Sequence, residues 1–333
     1  MVGFGSAGLR LAADAQQPAK VHRIGYLSVA GPSASDRTPK GCPTRGGSNW
    51  QALTEGLREY GYVPGKNLVV ECRFTEGHEE RAPAFAAELV NLKVDLLLVH
   101  STTNVRAAKE ATSTIPIVMY GVIDRVGRGL VANLARPGGN VTGLTDDAGK
   151  QVTAKHLQLL KEAIPRVSRV AVLGYVPEHG PHEYIWLADL QAAAERQNLA
   201  LLYHYVDDPE ELEGAFRMMR EERAGALVVL SHPFMGIHRR RIAELAAQSG
   251  LPAIYPSSDF IAEGGLLTYG ADLPALRRRI AFYVNKILTG ARPADLPVEQ
   301  PTKFVLTVNL KTVKELGLAI PRALLLRADE VIE

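Results

Sequence analysis

The chain is 333 residues long, 46% hydrophobic and 22% charged, the balance of a folded globular protein with enough length for two cores. Its 38 Lys and Arg stand against 36 Asp and Glu, and the resulting +2 charge gives no general attraction to nucleic acid. No apolar run reaches the roughly 18 residues that a bilayer-spanning helix needs.

Taken in chain order, residues 13–18 read Ala-Asp-Ala-Gln-Gln-Pro, a small-x-small pattern of the kind that precedes signal cleavage. Residues 1–20 are therefore read as the remnant of a secretory signal, which places the mature chain outside the cytoplasm, in the periplasm. A disordered start is the alternative. Strand-like runs then alternate with helical patterns, the signature of parallel sheets with crossover helices. The first half has strands at 23–28, 67–74, 94–101, 115–120 and 140–145. After a helix at 153–164, the second half repeats the order at 169–174, 200–206, 224–231, 251–255 and 265–269. Ile115-Pro116 and Leu251-Pro252 open equivalent strands, and each half places an Asp four positions after the strand's Tyr: Asp124 after Tyr120, and Asp259 after Tyr255. A helix at 274–288, a strand at 304–308 and a short helix at 310–316 follow. The predicted fold is α/β: two Rossmann-like lobes, 21–145 and 146–270, which share 271–333 by crossover and are joined by a hinge.

In open parallel sheets, ligands bind outside the carboxyl ends of the strands. Two facing sheets would then line a cleft. Ser101-Thr102-Thr103 follows the third strand and opens a helix, where hydroxyls and free N–H groups suit an anion; ordinary capping is the competing explanation. Asp124 at the next rim could pair with an ammonium, while Asp259 reads more as a cap. Trp50, Tyr120, Tyr175, Tyr255 and Tyr269 could stack on a flat ligand, and Ser28, Thr145, Ser231, His232 and Ser257 could add polar contacts. The runs Arg239-Arg240-Arg241 and Arg277-Arg278-Arg279 read as solvated helix faces. Cys42 and Cys72 could form a disulfide or remain two thiols, and their spacing fits no zinc pattern.

Neither a dinucleotide fingerprint, a P-loop nor a nucleophile elbow occurs, and the nine His are scattered, so no catalytic site, metal or cofactor is expected. His179 and His182 sit on one loop without a third ligand.

Several segments resemble a known family. Glu55-Gly56-Leu57-Arg58-Glu59-Tyr60-Gly61-Tyr62, Ala111-Thr112-Ser113-Thr114-Ile115-Pro116, Leu134-Ala135-Arg136-Pro137-Gly138-Gly139-Asn140-Val141-Thr142-Gly143, Leu296-Pro297-Val298-Glu299-Gln300-Pro301 and the ending Leu325-Leu326-Arg327-Ala328-Asp329-Glu330 look like the ABC-transporter substrate-binding family that includes TrpX-like tryptophan- and tyrosine-binding proteins. The resemblance implies a type I periplasmic-binding fold. It also implies a small amino-acid-like ligand captured by hinge closure, and a membrane permease with its ATPase as partners. It suggests a carboxylate held at Ser101–Thr103 and an amine at Asp124. The chain departs from the family at 31–49, which is longer and carries Cys42, and at 174–182, with Tyr175, Glu178 and two His. A ligand-sensing module of a signalling system and a two-lobed enzyme are the competing readings.

Overall fold

The structure is a computed structural model that describes residues 20–31, 38, 40–43, 48–122, 129–145, 150–176 and 187–333. The first half runs β1 (His22–Ser28), α1 (Ser48–Glu59), β2 (Leu68–Phe74), α2 (Ala82–Asn91), β3 (Leu96–His100), α3 (Thr102–Ala111), β4 (Ile117–Tyr120) and β5 (Val141–Gly143). These strands form one parallel sheet in the order β2-β1-β3-β4-β5.

The second half runs α4 (Lys150–Ala163), β6 (Arg169–Tyr175), α5 (Leu187–Arg196), β7 (Ala200–Val206), α6 (Leu212–Glu221), β8 (Ala226–Val229), α7 (Pro233–Ile237), α8 (Arg239–Gln248), β9 (Ala253–Tyr255) and β10 (Leu267–Ala271). The remainder is α9 (Leu273–Leu288), β11 (Phe304–Asn309), α10 (Leu310–Glu315), α11 (Arg322–Leu325) and β12 (Glu330–Ile332). The second sheet reads β7-β6-β8-β9-β10, the order of the first, and is then extended by β11 and β12. The extension begins with an antiparallel pair, β10 with β11, so the second sheet is mostly rather than wholly parallel. The expected α/β fold with two repeated sheets is what the chain adopts.

The apolar runs explain why each sheet is covered on both sides. In β3, Leu96 and Leu98 join the core that contains α1, while Leu97 and Val99 join the core that contains α2 and α3. All four are at most 1% exposed. Their alternation follows the two-residue period of a strand, and burial on both faces is why the run is uninterrupted. In the second sheet, Val170 and Val172 face one core, and Ala171 and Leu173 the other.

The chain changes sheets more than once. It leaves the first sheet after β5 and builds α4, whose Leu157, Leu160 and Ala163 pack in the second. It returns through residue 272 into α9, whose Ile280, Tyr283 and Val284 pack in the first. After Glu299, whose backbone pairs with Gly143 and Thr145, it crosses again into β11. Two of these crossings are clasped together: Lys303 Nζ donates to Asp272 Oδ2 at 2.8 Å, and the Asp272 N–H to the Lys303 carbonyl at 3.1 Å.

Cys42 and Cys72 form a disulfide with a Cα–Cα separation of 4.9 Å, resolving the alternative between a bridge and two thiols.

Candidate functional site

The order β2-β1-β3 reverses direction about β1, and β7-β6-β8 does so about β6. A crevice opens outside the strand ends at each such point. The two crevices face each other across one cavity of about 250 Å³. From the first sheet come Val29 and Ala30 after β1, His100 at the end of β3 and Gly121 after β4. From the second come Leu230, Ser231 and His232 after β8, and Ser257 and Asp259 after β9. The crossing segments close its side with Thr153 and His156 of α4, Gly270 of β10, and Leu273 and Arg277 of α9. Gly270 is required there, because a methyl at that position would collide with the Pro256 carbonyl.

The polar groups in this wall are held from behind. His232 caps α7: its Nδ1 accepts from the Phe234 N–H at 3.2 Å, so Nε2 carries the proton of the neutral ring. That ring lies parallel to Tyr175 at a centroid distance of 4.2 Å. His156 Nε2 lies 2.5 Å from the Tyr269 carbonyl. Burial drives the His156 pKa down to about 4, the carbonyl opposing the shift, so the imidazole is neutral and Nε2 donates. Burial, reinforced by the charge of Arg277, drives His100 down to about 3. Its Nδ1 is buried and has no hydrogen-bond partner among the described residues.

Arg277 is 8% exposed, and its guanidinium carbon sits 4.7 Å from the centroid of the Tyr120 ring. The Tyr120 hydroxyl is 2.6 Å from that of Tyr26 and is also hydrogen-bonded to Ser28. His100 stacks on the same ring at 4.8 Å. Tyr120, Tyr26 and Ser28 thus form a layer behind the wall, and Arg277 and His100 stand in front of it. The second cation in the wall, Arg239, pairs with Glu263 at 3.3 Å.

Of the residues singled out in the sequence, Ser231, His232, Ser257 and Asp259 line the cavity, while Tyr255 is buried in a core of the second sheet. Ser28 and Tyr120 lie in the layer behind it, and Tyr175 backs His232. Ser101 caps α3 with its hydroxyl, at a backbone φ of 80° and ψ of 155° that costs a non-glycine residue about 1–3 kcal/mol. Thr103 donates to Glu79 at 2.9 Å, and neither Ser101, Thr102 nor Thr103 is part of the cavity wall. The Thr145 hydroxyl donates to the Val122 carbonyl at 2.6 Å and is fully buried. Tyr269 contributes its carbonyl to His156, while its ring stacks on Phe304 at 5.9 Å. Trp50 is elsewhere: it packs on Tyr26 at 5.5 Å and lines a different cavity of about 700 Å³ beside β2, with Cys42 and Val70. The first turn of α1 points it towards the disulfide rather than the strand ends. Asp124, Glu178, His179 and His182 lie outside the described residues, as do residues 1–19 of the stretch read as a signal remnant.

Sequence reasoning missed His100, His156 and Arg277. The arginine run does not form one solvated face: Arg278 is exposed and Arg279 forms a bidentate pair with Glu299, but Arg277 is buried. The signal was present. Leu273, Arg277, Ile280, Val284 and Ile287 fall on one stripe of α9, and that stripe is otherwise apolar.

The family described as ABC transporter substrate binding protein matches residues 48–332. A tyrosine-binding protein of Clostridioides difficile strain R20291 is 26% identical over 271 residues, spanning 80% of this chain and 76% of that protein. A conserved domain protein from Vibrio cholerae O1 biovar El Tor superposes with a TM-score of 0.81 at 27% identity, covering 94% of this chain and all of the other. An ABC domain from Streptococcus pneumoniae, solved in complex with L-Trp, gives a TM-score of 0.78 at 24% identity over 93% of this chain and all of that one.

Proposed function

The chain belongs to the ABC transporter substrate-binding protein family, and from that premise we propose that it is the solute-capturing component of an importer, closing its two halves on a small amino-acid-like molecule. The observation that carries this reading is the cavity of about 250 Å³ walled by strand ends of both sheets and by the segments that cross between them. A ligand touching both walls binds the closed arrangement better than an open one, and that difference in affinity is what drives closure about the crossings. The volume is just below the usual span for drug-sized ligands and suits a solute of amino-acid size.

Aromatic amino acids lead the candidates, since one relative is described as tyrosine-binding and a structural neighbour holds L-Trp. The polar and apolar wall also agrees with a zwitterion bearing a hydrophobic body: Arg277 and Asp259 offer opposite charges, and Leu230, Ile237 and Phe260 offer apolar surface. The working partners of such a component are a membrane permease and its ATPase. An extracytoplasmic site of action is supported by the Cys42–Cys72 disulfide, which persists in oxidising compartments. The role is capture rather than catalysis. The wall's histidines are held neutral by burial, as His100 and His156 are, or engaged as a cap, as His232 is.

The test is thermal unfolding of protein that has been unfolded and refolded to strip carried-over solute. A ligand at 100 times its Kd stabilises by about 2.7 kcal/mol, enough to raise Tm by several degrees. L-Tyr or L-Trp is expected to do so, with a matching decrease in radius of gyration by solution scattering. Absence of any shift across amino acids and aromatic acids would remove the ligand class.

A further inference from the structure

Among the described residues Arg277 is an unanswered charge in the cavity wall. The side chain is 8% exposed and lines the cavity. Among the described residues no carboxylate lies within ion-pair range of it, and none of its five N–H donors has an acceptor. The contrast with the neighbouring cations is direct: Arg279 is held by Glu299 and Arg239 by Glu263. Buried cations in proteins are ordinarily paired, because the desolvation cost of an unpaired one is several kcal/mol. The Tyr120 ring under the guanidinium attracts it but accepts none of its hydrogen bonds in the plane. Tyr120 is itself fixed by its hydroxyl contacts to Tyr26 and Ser28, so the ring is a rigid shelf. The shelf lies 4.7 Å from the guanidinium carbon, and the side chain lines the cavity.

Building on the solute-capture reading above, we propose that Arg277 is the seat of the ligand's acidic group, so that the cleft selects solutes bearing a carboxylate and rejects the same skeleton without one. A guanidinium fork and a carboxylate form two parallel charge-assisted hydrogen bonds, a geometry that a lysine cannot reproduce. The Thr103 hydroxyl already donates to Glu79, the Ser101 oxygen accepts from the Asn104 N–H, and neither residue lines the cavity. Tyr120, on this view, is a positioning residue that aims Arg277, and not a surface on which the ligand stacks.

The experiment compares wild type with Arg277→Met and Arg277→Lys, using refolded protein and six probes. These are L-tryptophan, L-tyrosine, the amine-free acids 3-indolepropionate and 3-(4-hydroxyphenyl)propionate, and the carboxylate-free amines tryptamine and tyramine. Calorimetry on the wild type is expected to show acids bound at least ~10-fold more tightly than the matching amines, and Arg277→Met is expected to weaken them ~10- to 100-fold. Arg277→Lys should recover only part of that loss. Without ligand, Arg277→Met should melt no lower than wild type and about 1–3 °C higher, because it removes an uncompensated buried charge. Amines that bind as well as acids, an Arg277→Met protein that binds acids unchanged, or a ligand-free Arg277→Met protein that melts several degrees lower would each overturn the assignment while leaving solute capture intact. If the wild type instead releases on unfolding a solute outside the panel, mass spectrometry decides: one with no acidic group overturns the assignment, and an acid absent from Arg277→Met supports it. A wild type that binds no probe and releases no solute overturns solute capture itself, and this inference with it.

Discussion

His156 makes the protein's stability depend on acid in a way that can be isolated. The ring is 4% exposed, donates from Nε2 to the Tyr269 carbonyl and has its pKa driven down to about 4 by burial, against 6.5 in an unfolded chain. The unfolded state therefore takes up a proton as pH falls through 6.5, and the folded state does not until about 4. The stability attributable to this neutral ring is complete above pH 6.5, falls between 6.5 and 4, and levels off below. One proton difference changes stability by about 1.4 kcal/mol per pH unit, so the loss over that window is about 3 kcal/mol. His156→Gln keeps a donor for the Tyr269 carbonyl and cannot titrate. Urea unfolding of both proteins at half-unit steps from pH 7.5 to 4 gives a difference curve in which other titrating groups, including His100, cancel. The variant should gain about 3 kcal/mol on wild type as pH falls. Parallel curves would show that His156 protonates as readily in the folded state as in the unfolded one, and the argument from burial would fail.

Reducing the Cys42–Cys72 bridge frees a loop of 30 residues; the loop-entropy relation gives a loss of about 3–4 kcal/mol, readable as a lower Tm with reductant, and an unchanged Tm would refute it. Leu98→Ala in the centre of the first sheet, where the side chain is 1% exposed, should cost about 2–5 kcal/mol in urea unfolding without changing the m-value. Asp272→Ala removes both the cap on Ala275 and the side-chain half of the Lys303 clasp, and should cost about 1–2 kcal/mol. Its pKa is held below the usual carboxylate range even though burial, the largest single influence, raises it, because Lys303 and the Ala275 N–H together outweigh that effect. The part of the cost due to charge should therefore disappear as pH falls through that lowered pKa, as a pH series of melting curves would reveal.

Periodicity made the sheets legible. A short uninterrupted apolar run such as Leu96-Leu97-Leu98-Val99 fits a strand covered on both faces, and two sets of such runs in one order imply two like sheets. The cavity was legible to the level of strand ends, which is why Ser231, His232, Ser257 and Asp259 fall on its wall. What chain order conceals is which side chain returns from a distant element. His156 meets Tyr269 across 113 positions, and Arg277 enters the wall on a helix that follows the entire second sheet. Arg277 was also masked by its own neighbours, since three consecutive arginines suggest a wet face and only the stripe through Ile280 and Val284 separates the first from the others. Trp50 was misplaced for the converse reason: it is near the cavity strands in sequence, but the first turn of α1 carries it to the disulfide.

The packing of α9 on α1 also sets a clock on synthesis. The last strand of the first sheet ends at Gly143, yet the helix that covers Leu53, Leu57 and the adjoining sheet face ends at Leu288. The intervening 145 residues (288 − 143) take roughly 7–30 s to translate at about 5–20 residues per second. Throughout that interval the amino-terminal half has an apolar face with nothing to close it, and cannot lock into its final form. A polypeptide that cannot complete its first core before its carboxyl-terminal third is made stays incompletely folded through most of its own synthesis.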